Sequence, residues 1–323
     1  MINILYCFDE NYNFQAFSSI ISLLDHVSEK LNIFIIHKTE SDEKFFPKKI
    51  LLHENLNKIN IFKFDKKVSK FPNLFDAHIS EATYYRLFCA DYLPINIETI
   101  FYIDADIICV ENPINLLKAD IKNLVKENNT ISVKTEILRS ANSLEVFERL
   151  NMISNRYFNA GVMNINLQNW IKMNIDFNEK LKEYNDRLNF WDQDLLNHVF
   201  DGNYQELDPR LNKVIDFAFY EYKKDHVDVE KVINKSSLIH FAGSHKPWSV
   251  NGIMSNLSEI YQLEFRKIST NNFHITHKIR SMSIGYLFKN ILNLKFFKID
   301  SKLQFTIELI KSLFKIKVKK KDD

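Results

Sequence analysis

Two aspartates separated by one residue, Asp104-Ala105-Asp106, are the clearest candidates for chemistry in the sequence. They follow residues 99–103, an apolar and β-prone run that predicts a buried strand. Carboxylates are costly to bury without a partner, and a divalent cation would neutralise both of them. Because alternate residues of an extended segment point to the same side, both side chains can reach one ion, and oxygen ligands suit Mg²⁺ or Mn²⁺. The alternative is a strand that ends in solvated aspartates, since this motif is short and common.

The elements that would position this pair alternate between strands and helices. Three apolar runs predict buried strands, at residues 2–7, 31–37 and 59–64. Helical spacing follows the first of them, and a second helix is expected to begin near Pro47. This alternation predicts a mostly parallel sheet that is covered on both faces. Ligands bind such sheets beyond the carboxyl ends of the strands, which is where Asp9, Asp104 and Asp106 lie.

The helix expected over residues 80–92 carries a further candidate. Ser80 is placed to cap this helix, and Thr83 and Arg86 share one of its faces. Arg86 is either an ordinary surface charge or a group that binds a diphosphate through its two-pronged guanidinium.

The second half of the chain adds a histidine and an aspartate. Residues 167–187 predict one long helix, and Asp192 is placed to cap the helix after it. Residues 237–241 predict an apolar strand that carries His240, which is either a core histidine or a ligand. The loop at 242–248 combines Gly, Lys and Pro-Trp, a composition that favours closure over a phosphate.

Composition indicates a globular protein with either one large domain and an appendage or two modest domains. The chain has 323 residues, of which 46% are hydrophobic and 26% are charged. Its three cysteines lie in apolar settings without C-x-x-C spacing, which predicts free thiols in a reducing compartment. The first residues lack a basic leader, and no uncharged run approaches the length of a membrane span.

Charge is distributed unevenly along the chain. The net charge is +2, but residues 276–323 contain twelve Lys or Arg against four Asp or Glu, so the remainder is acidic. Segments 284–299 and 303–318 mix apolar residues with lysines, which predicts basic amphipathic helices suited to an anionic membrane surface. The alternative is a helical pair docked on the rest of the protein. Nucleic acid is disfavoured as a partner because these lysines lie among Leu, Ile and Phe.

Six motifs occur in an order and at spacings that resemble a known family. They are Asp9-Glu10-Asn11-Tyr12, His78-Ile79-Ser80 with Thr83 and Arg86, residues 101–106, residues 158–161, Asp192-Gln193-Asp194 and residues 240–248. Together they resemble glycosyltransferase family 8, in particular its bacterial lipopolysaccharide α-galactosyl- and α-glucosyltransferases, over about residues 1–265. The resemblance implies an α/β, Rossmann-like GT-A fold with a mostly parallel sheet. It also implies a UDP-galactose or UDP-glucose donor, retention of configuration, and Mn²⁺ or Mg²⁺.

The resemblance implies a role for each matching residue. The metal ligands would be Asp104, Asp106 and His240. The donor would be bound by Asp9, Asn11, Tyr12, Arg86, Ala105, Gly243 and Lys246. The catalytic group around the donor sugar and its anomeric carbon would be Asn159, Asp192 and Gln193.

Retention leaves two routes open. In double displacement a carboxylate attacks first, whereas in front-face substitution the acceptor attacks from the side that the phosphate leaves. Gln193 is expected on the β-face, and because an amide is a poor nucleophile we favour front-face substitution, with Gln193 and Asp192 as positioning and electrostatic groups. One departure concerns the donor sugar. The family carries an aspartate near residues 132–137, where this chain has Lys134 with Glu136 nearby, so galactose and glucose both stay open.

The sequence thus predicts a catalytic domain over residues 1–270 and a helical, membrane-associating segment over 271–323. The enzyme is expected in the cytoplasm, peripheral on the inner face of the cell membrane. Its expected acceptor is a lipopolysaccharide or lipooligosaccharide core glycan. The alternatives are a protein-linked or capsular glycan, and a non-catalytic nucleotide-sugar-binding protein that kept the fold. The sequence does not indicate the oligomeric state.

Overall fold

The computed structural model of the chain describes residues 1–39, 45–74, 80–136, 143–217, 229–299 and 301–314. His78 and Ile79 of the second motif, and residues 315–318 of the expected C-terminal helix, lie outside the described residues. The chain divides into two compact units. The first unit is Met1–Lys213 with Lys235–His240, and the second is Val214–Asn234 with Phe241–Asp323. The predicted boundary after residue 270 stays a prediction.

A mostly parallel sheet forms the centre of the first unit. The strands of the chain are β1 (Ile2–Phe8), β2 (Leu31–His37), β3 (Leu56–Lys63), β4 (Thr99–Ile103), β5 (Ile107–Cys109), β6 (Ile131–Thr135), β7 (Phe158–Asn166), β8 (Gln205–Glu206), β9 (Lys213–Asp216) and β10 (Leu238–Ala242). Within the described residues, the main sheet has the order β3-β2-β1-β4-β7-β6-β8. Parallel pairing joins β3, β2, β1 and β4, and also β6 with β8, whereas β7 runs antiparallel to both of its neighbours. The predicted α/β class with a mostly parallel sheet is confirmed.

Burial on both faces explains why these runs are strands rather than helices. All residues of β4 and β7 are buried, and β1 is buried apart from Asn3. Strands that are covered on both faces read as near-continuous apolar runs rich in β-branched and aromatic residues, as these do. At the carboxyl end of β4 the apolar run stops and Asp104 begins the turn that leads to β5.

The helix predicted over residues 80–92 is the 3-10 helix Glu81–Asp91, capped by Ser80 as expected. The α-helices agree with most of the other sequence predictions. They are α1 (Asn13–His26), α2 (Lys48–Leu51), α3 (Ile114–Lys126), α4 (Ser143–Arg149), α5 (Leu167–Lys172), α6 (Phe177–Glu183), α7 (Trp191–Phe200), α8 (Val229–Ile233), α9 (Ser258–Ile268), α10 (Arg280–Leu292) and α11 (Lys302–Phe314). The single helix expected over 167–187 was wrong, because α5 and α6 are separate. Asn174 adopts a left-handed conformation with φ 49°, and the Asp176 carboxylate caps the new helix by accepting from Asn178 N and Glu179 N.

The second unit contains the helices α8 to α11. Val250, Ile253, Phe273, Ile299, Phe305 and Leu309 form a buried apolar cluster that holds α11 against the residues before α10. Glu308 of α11 also accepts hydrogen bonds from the backbone N–H groups of Asn272 and Phe273. In the parts of the chain that the structure describes, no helix is both long enough and apolar enough to cross a membrane.

Candidate metal centre and its polar surroundings

Asp104, Asp106 and His240, the three predicted metal ligands, come together in the first unit. Each offers one ligand atom, and these atoms all lie within 4.8 Å of one another. His240 Nε2 is 3.4 Å from Asp106 Oδ1 and 3.9 Å from Asp104 Oδ2. Two carboxylates and an imidazole form a donor set that fits Mg²⁺ or Mn²⁺, and a cation would relieve the repulsion between the two aspartates.

Strand pairing brings these three residues together although more than a hundred residues separate them in the chain. Asp104 is fixed at the end of β4 because its backbone N–H donates to Gly161 O of β7 at 2.8 Å. The short strand β5 then pairs antiparallel with β10, which sets His240 opposite Ile107. The histidine of β10 therefore lies directly beside the turn that carries both aspartates.

Asp104 is oriented by two side chains that bind the same carboxylate oxygen. Tyr102 Oη donates to Asp104 Oδ1, and Arg86 Nη2 lies 3.2 Å from that atom. The Arg86 guanidinium also stacks over the Tyr102 ring, with Cζ 4.0 Å from the ring centroid. Burial raises the pKa of Tyr102 well above its ordinary value, so the phenol stays protonated and remains a donor. Oδ2 of Asp104 is thereby left on the side of His240.

Arg86 is not a surface charge. Its side chain is buried, and its Nε lies 2.7 Å from Asp192 Oδ2. Thr83 Oγ1 donates to the other oxygen of Asp192 at 2.6 Å, so the predicted shared face of Thr83 and Arg86 is confirmed. Burial alone would lower the pKa of Arg86, but the carboxylates of Asp104 and Asp192 raise it above its ordinary value.

The expectation that Asp192 caps a helix was wrong. Phe190 occupies the N-cap of α7, and Asp192 lies inside the first turn with its carboxylate bound to Arg86 and Thr83. Asp194 is the residue that binds the backbone before the helix, because its Oδ2 accepts from Asn189 N and Phe190 N. Burial raises the pKa of Asp192 to about 6 in spite of the neighbouring guanidinium.

Asn159 and Gln193 both accept hydrogen bonds from the backbone at the start of strand β7. Asn159 Oδ1 accepts from Gly161 N at 3.0 Å. Gln193 Oε1 accepts from Ala160 N at 3.0 Å, and its Nε2 donates to Tyr157 Oη at 3.2 Å. Arg86 Nη1 donates to Ala160 O, so Arg86 and Gln193 bind the C=O and the N–H group of the same residue. The structure therefore brings Arg86, Asn159, Asp192 and Gln193 together beside the Asp104 turn.

The loop after β1 lies in the electrostatic field of the same aspartates. Asp9 is buried and caps the short 3-10 helix Glu10–Tyr12, since its Oδ1 accepts from Asn11 N at 3.0 Å. Asn11 Nδ2 lies 3.4 Å from Asp9 Oδ2. Burial and the carboxylates of Asp106 and Asp9 raise the pKa of Tyr12 above its ordinary value. Ala105, also buried, separates Asp104 from Asp106.

Gly243 and Lys246 belong to the second unit, so their proposed contact with a diphosphate stays a prediction. Gly243 adopts φ 78°, and a Cβ there would lie 2.7 Å from Asp216 Oδ1, so the position requires glycine. Lys246 Nζ donates to Phe241 O at 2.7 Å.

Sequence reasoning missed Asn212, Tyr102 and the real contact of Lys134. Asn212 is fully buried and contacts both His240 and Asn159. Lys134 lies opposite Asn159 across an irregular register between β6 and β7, and its Nζ donates to Asn212 O at 2.7 Å. Burial lowers the pKa of Lys134. Only the departure at Lys134 was visible in the sequence, because nothing in the run around Asn212 marks it as a site residue.

A family model and several known proteins are similar to this chain. A family model described as glycosyl transferase family 8 matches residues 3–252. A lipopolysaccharide 1,2-glucosyltransferase of Escherichia coli is 27% identical over 260 residues, covering 76% of this chain and 73% of the relative. A lipopolysaccharide 1,3-galactosyltransferase of Salmonella typhimurium is 28% identical over 264 residues, covering 76% and 72%. The crystal structure of galactosyltransferase LgtC with donor and acceptor sugar analogs has a TM-score of 0.67 at 20% identity, covering 83% of this chain and 97% of that chain. This likeness confirms the predicted GT-A fold.

Proposed function

The chain belongs to glycosyltransferase family 8, and on that premise we propose that it moves a hexose from UDP-galactose or UDP-glucose to a lipopolysaccharide or lipooligosaccharide core glycan. The glucosyl- and galactosyltransferases that it resembles support the sugar class and the acceptor class. Because relatives of both kinds are similarly distant, the donor sugar stays open between the two.

The observation that carries the proposal is the grouping of Asp104, Asp106 and His240 at the carboxyl end of a buried strand. This donor set fits a divalent cation, with Mn²⁺ as the proposed ion and Mg²⁺ as the other candidate. Such an ion, when bound, supplies positive charge that stabilises the diphosphate of the leaving UDP. Open coordination positions suit phosphate oxygens, which is the arrangement expected for a nucleotide-sugar donor.

The surrounding residues are proposed to hold the rest of the donor. Asp9, Asn11 and Tyr12 would bind uridine, with Tyr12 stacked on the base. Gly243 and Lys246 would contact the diphosphate, where the ammonium group acts as a point charge. Arg86 and Asn159 would contact the donor sugar. Since the Arg86 guanidinium already binds Asp104 and Asp192, its contribution includes holding both carboxylates in place.

Front-face substitution is the proposed route to retention. Gln193 is fixed at both ends of its amide, by Ala160 N–H and by Tyr157 Oη, which suits a residue that positions a sugar. The amide group is itself a poor nucleophile. The Asp192 carboxylate is engaged by Arg86 and Thr83. In this route the acceptor hydroxyl attacks from the side that the diphosphate leaves, and its proton passes to a phosphate oxygen. High turnover of Gln193→Glu together with a trapped glycosyl adduct would contradict it.

The deciding experiment is hydrolysis of UDP-galactose, UDP-glucose and their N-acetyl forms by the purified full-length chain, with Mn²⁺ and with chelator. We expect metal-dependent UDP release from one donor, abolished in Asp104→Asn. Asp120→Asn is the matched control, because Asp120 is also a buried carboxylate but binds Ser132, Asn164 and Gln205. UDP binding without turnover on any donor would favour a non-catalytic nucleotide-sugar-binding protein instead.

The acceptor is tested separately, by mass analysis of products formed with core oligosaccharides, protein-linked glycans and capsular glycans. Transfer only to a protein-linked or capsular glycan would replace the proposed acceptor and leave the enzyme class intact.

The proposal extends to an anionic membrane surface on the cytoplasmic side as the partner of the second unit. Its helices expose large apolar side chains, namely Met282, Ile284, Phe288, Leu292, Leu303, Ile307, Ile310 and Phe314. Exposed lysines lie among them at positions 289, 302 and 311. Apolar groups interspersed with cations suit the interface of an anionic bilayer. The alternative, a helix pair docked on the rest of the protein, is supported by the side of α11 that packs in the buried apolar cluster. The exposed side of the same helix is the one proposed to face the membrane.

Vesicle flotation tests this surface with the full-length chain. We expect binding to vesicles that contain phosphatidylglycerol, little binding to phosphatidylcholine alone, and loss of binding in Phe288→Ser with Leu292→Ser. Leu52→Ser is the control, because Leu52 is 82% exposed and belongs to the first unit. Equal binding of all variants would contradict the proposed surface.

A further inference from the structure

A fully buried asparagine outside the six motifs, Asn212, connects the candidate metal ligand His240 to strand β7. His240 Nδ1 lies 3.2 Å from Asn212 Oδ1, and Asn212 Nδ2 donates to Asn159 Oδ1 at 3.0 Å. Asn159 Oδ1 also accepts from Gly161 N at 3.0 Å. These bonds form a continuous chain from the backbone of β7 to the imidazole ring.

The direction of every bond in this chain follows from its first member. A backbone N–H can only donate, so the Asn159 atom that faces Gly161 N is the amide oxygen. The Asn212 atom that faces the same oxygen must then be its NH₂ group, which places the Asn212 oxygen against His240. An amide oxygen only accepts, so His240 Nδ1 carries the proton of the neutral ring.

This tautomer leaves the lone pair of His240 on Nε2. Nε2 is the nitrogen that lies 3.4 Å from Asp106 Oδ1 and 3.9 Å from Asp104 Oδ2. A histidine ligand generally donates its second ring N–H to an oxygen acceptor, which fixes both the tautomer and the orientation of the ring.

The segment that carries Asn212 is itself anchored in three places. Lys134 Nζ donates to Asn212 O at 2.7 Å, which ties the segment to β6. Asp208 caps the 3-10 helix Pro209–Leu211 immediately before it. Arg210 O accepts from Ser237 N at 2.9 Å, which ties the segment to the start of β10. The bond from Ser237 N to Arg210 O therefore sets the segment of Asn212 beside the strand of His240.

We propose that Asn212 is a positioning residue of the metal centre, which holds His240 as the Nδ1–H tautomer with Nε2 directed at the cation. Lys134 supports it by fixing the Asn212 peptide. This inference rests on the proposed function, since it assumes that Asp104, Asp106 and His240 bind a divalent cation. It gives Lys134, where the family resemblance led us to expect an aspartate, a role in supporting the metal centre.

Calorimetric titration of the full-length chain with Mn²⁺ alone tests the proposal, with UDP absent. Loss of a hydrogen-bond partner of a metal ligand typically weakens metal binding ~10–100-fold, and we expect that range for Asn212→Leu. Asn164→Leu is the matched control, because Asn164 is equally buried on β7 but donates to Asp120, and we expect less than a twofold change. Lys134→Met, which keeps most of the unbranched apolar stem but removes the ammonium, should weaken Mn²⁺ binding by a smaller factor and provides a second variant if Asn212→Leu does not fold.

Nitrogen chemical shifts of histidine-labelled protein provide a readout that does not depend on the metal. At pH 8 without metal, the His240 signals, assigned from a His240→Gln variant, should report the Nδ1–H tautomer, and Asn212→Leu should lose this preference. An Nε2–H tautomer in the wild type, or unchanged Mn²⁺ affinity in both Asn212→Leu and Lys134→Met, would overturn the proposed positioning role of Asn212. A wild-type chain that binds no Mn²⁺ would overturn the metal assignment itself.

Discussion

Arg86 and Asp192 form a buried ion pair, with Arg86 Nε 2.7 Å from Asp192 Oδ2. The same guanidinium lies 3.2 Å from Asp104 Oδ1 through its Nη2. One side chain therefore connects a candidate metal ligand to a residue of the proposed donor-sugar pocket. An arginine suits this place because its extended, delocalised guanidinium lies within ion-pair distance of two carboxylates at once, whereas a lysine offers a single compact ammonium.

Removing the Arg86 guanidinium should lower both the free energy of unfolding and the Mn²⁺ affinity. Arg86→Met leaves Asp192 as a buried carboxylate without its cation, which should cost about 3–5 kcal/mol of unfolding free energy. Arg86→Lys should retain part of this stability but lower the Mn²⁺ affinity, since one ammonium cannot hold Asp192 and Asp104 together. Urea unfolding and Mn²⁺ titration measure the two effects.

Arg156→Lys is the control for that pair of variants. Arg156 stacks over Tyr204 but its side chain is 44% exposed, so the free energy of unfolding should change by less than about 0.5 kcal/mol. If Arg86→Met unfolded at the same urea concentration as Arg156→Lys, the buried pair would not have the role assigned to it.

A methyl group at Gly161 should disturb the metal centre directly. A Cβ at this position would lie 2.3 Å from His240 Cε1 and 2.6 Å from His240 Nδ1, so the imidazole ring would have to move. We expect Gly161→Ala to cost about 1–3 kcal/mol of unfolding free energy through overpacking. We also expect it to weaken Mn²⁺ binding, because the ring can no longer keep both Asn212 and the cation. Thermal unfolding and calorimetric titration are the measurements.

Gly285→Ala is the matched control, because this substitution should stabilise the protein. Gly285 lies in α10, and a Cβ there has nothing within 4 Å, so the variant should be more stable by about 0.5–1 kcal/mol through helix propensity. Equal effects of the two alanines would mean that the close approach of Gly161 to His240 does not constrain the ring.

The parts of the site that were visible in the sequence are those encoded by short segments. Asp104 and Asp106 directly follow the apolar strand β4, so periodicity and strand-end position were enough to select them. His240 lies in the middle of the apolar strand β10, where a histidine is conspicuous in the sequence. The Ser80 cap was visible for the same reason, since it binds Ala82 N two residues away.

The parts that were missed depend on contacts between distant residues. Asp192 looked like a helix cap because its real partner, Thr83, is 109 positions away in the chain. Asn212 carries no local signal, and its role emerges only when β5, β7 and β10 bring His240 and Asn159 to it. The break between α5 and α6 was missed because Asn174 and Asp176 act through backbone conformation and capping, which interrupt an otherwise helical pattern.

The stability of the second unit should fall at mildly acidic pH because of His274. This ring stacks on Phe265 and contacts Tyr261 Oη through Nδ1 at 2.5 Å. Burial lowers the pKa of His274 to about 3, whereas a histidine in the unfolded chain has a pKa of about 6.5. Between these values the unfolded chain binds a proton that the folded chain does not. Stability is therefore retained above pH 6.5 and declines as the pH falls below it.

Urea unfolding at pH 7.5 and pH 5.0 measures this effect. The wild type should lose about 1–2 kcal/mol from this site between the two conditions, and His274→Phe should lose correspondingly less. His277 should contribute an equal loss of stability to the wild type and to His274→Phe, because burial lowers its pKa as well. A pH dependence that is the same in wild type and His274→Phe would exclude His274 as its source.

Two phenylalanines of α11 distinguish a docked helix from one that only faces a membrane. Phe305 is fully buried against Phe273 and Phe296, with ring centroids 5.4 and 6.2 Å away, whereas Phe314 is 71% exposed. Phe305→Ala should therefore cost about 3–5 kcal/mol of unfolding free energy, and Phe314→Ala should cost almost nothing. Differential scanning calorimetry compares the two.

Phe305 and Phe314 also indicate whether deletion or point substitution is the better test of membrane binding. Because Phe305 and Leu309 belong to the apolar core of the second unit, deleting the segment from residue 284 onward should destabilise that unit rather than free it from a membrane. Phe314→Ala should instead lower vesicle binding while leaving the unfolding temperature unchanged. If Phe305→Ala were as stable as Phe314→Ala, α11 would not be docked, and deletion would then be the cleaner test of membrane association.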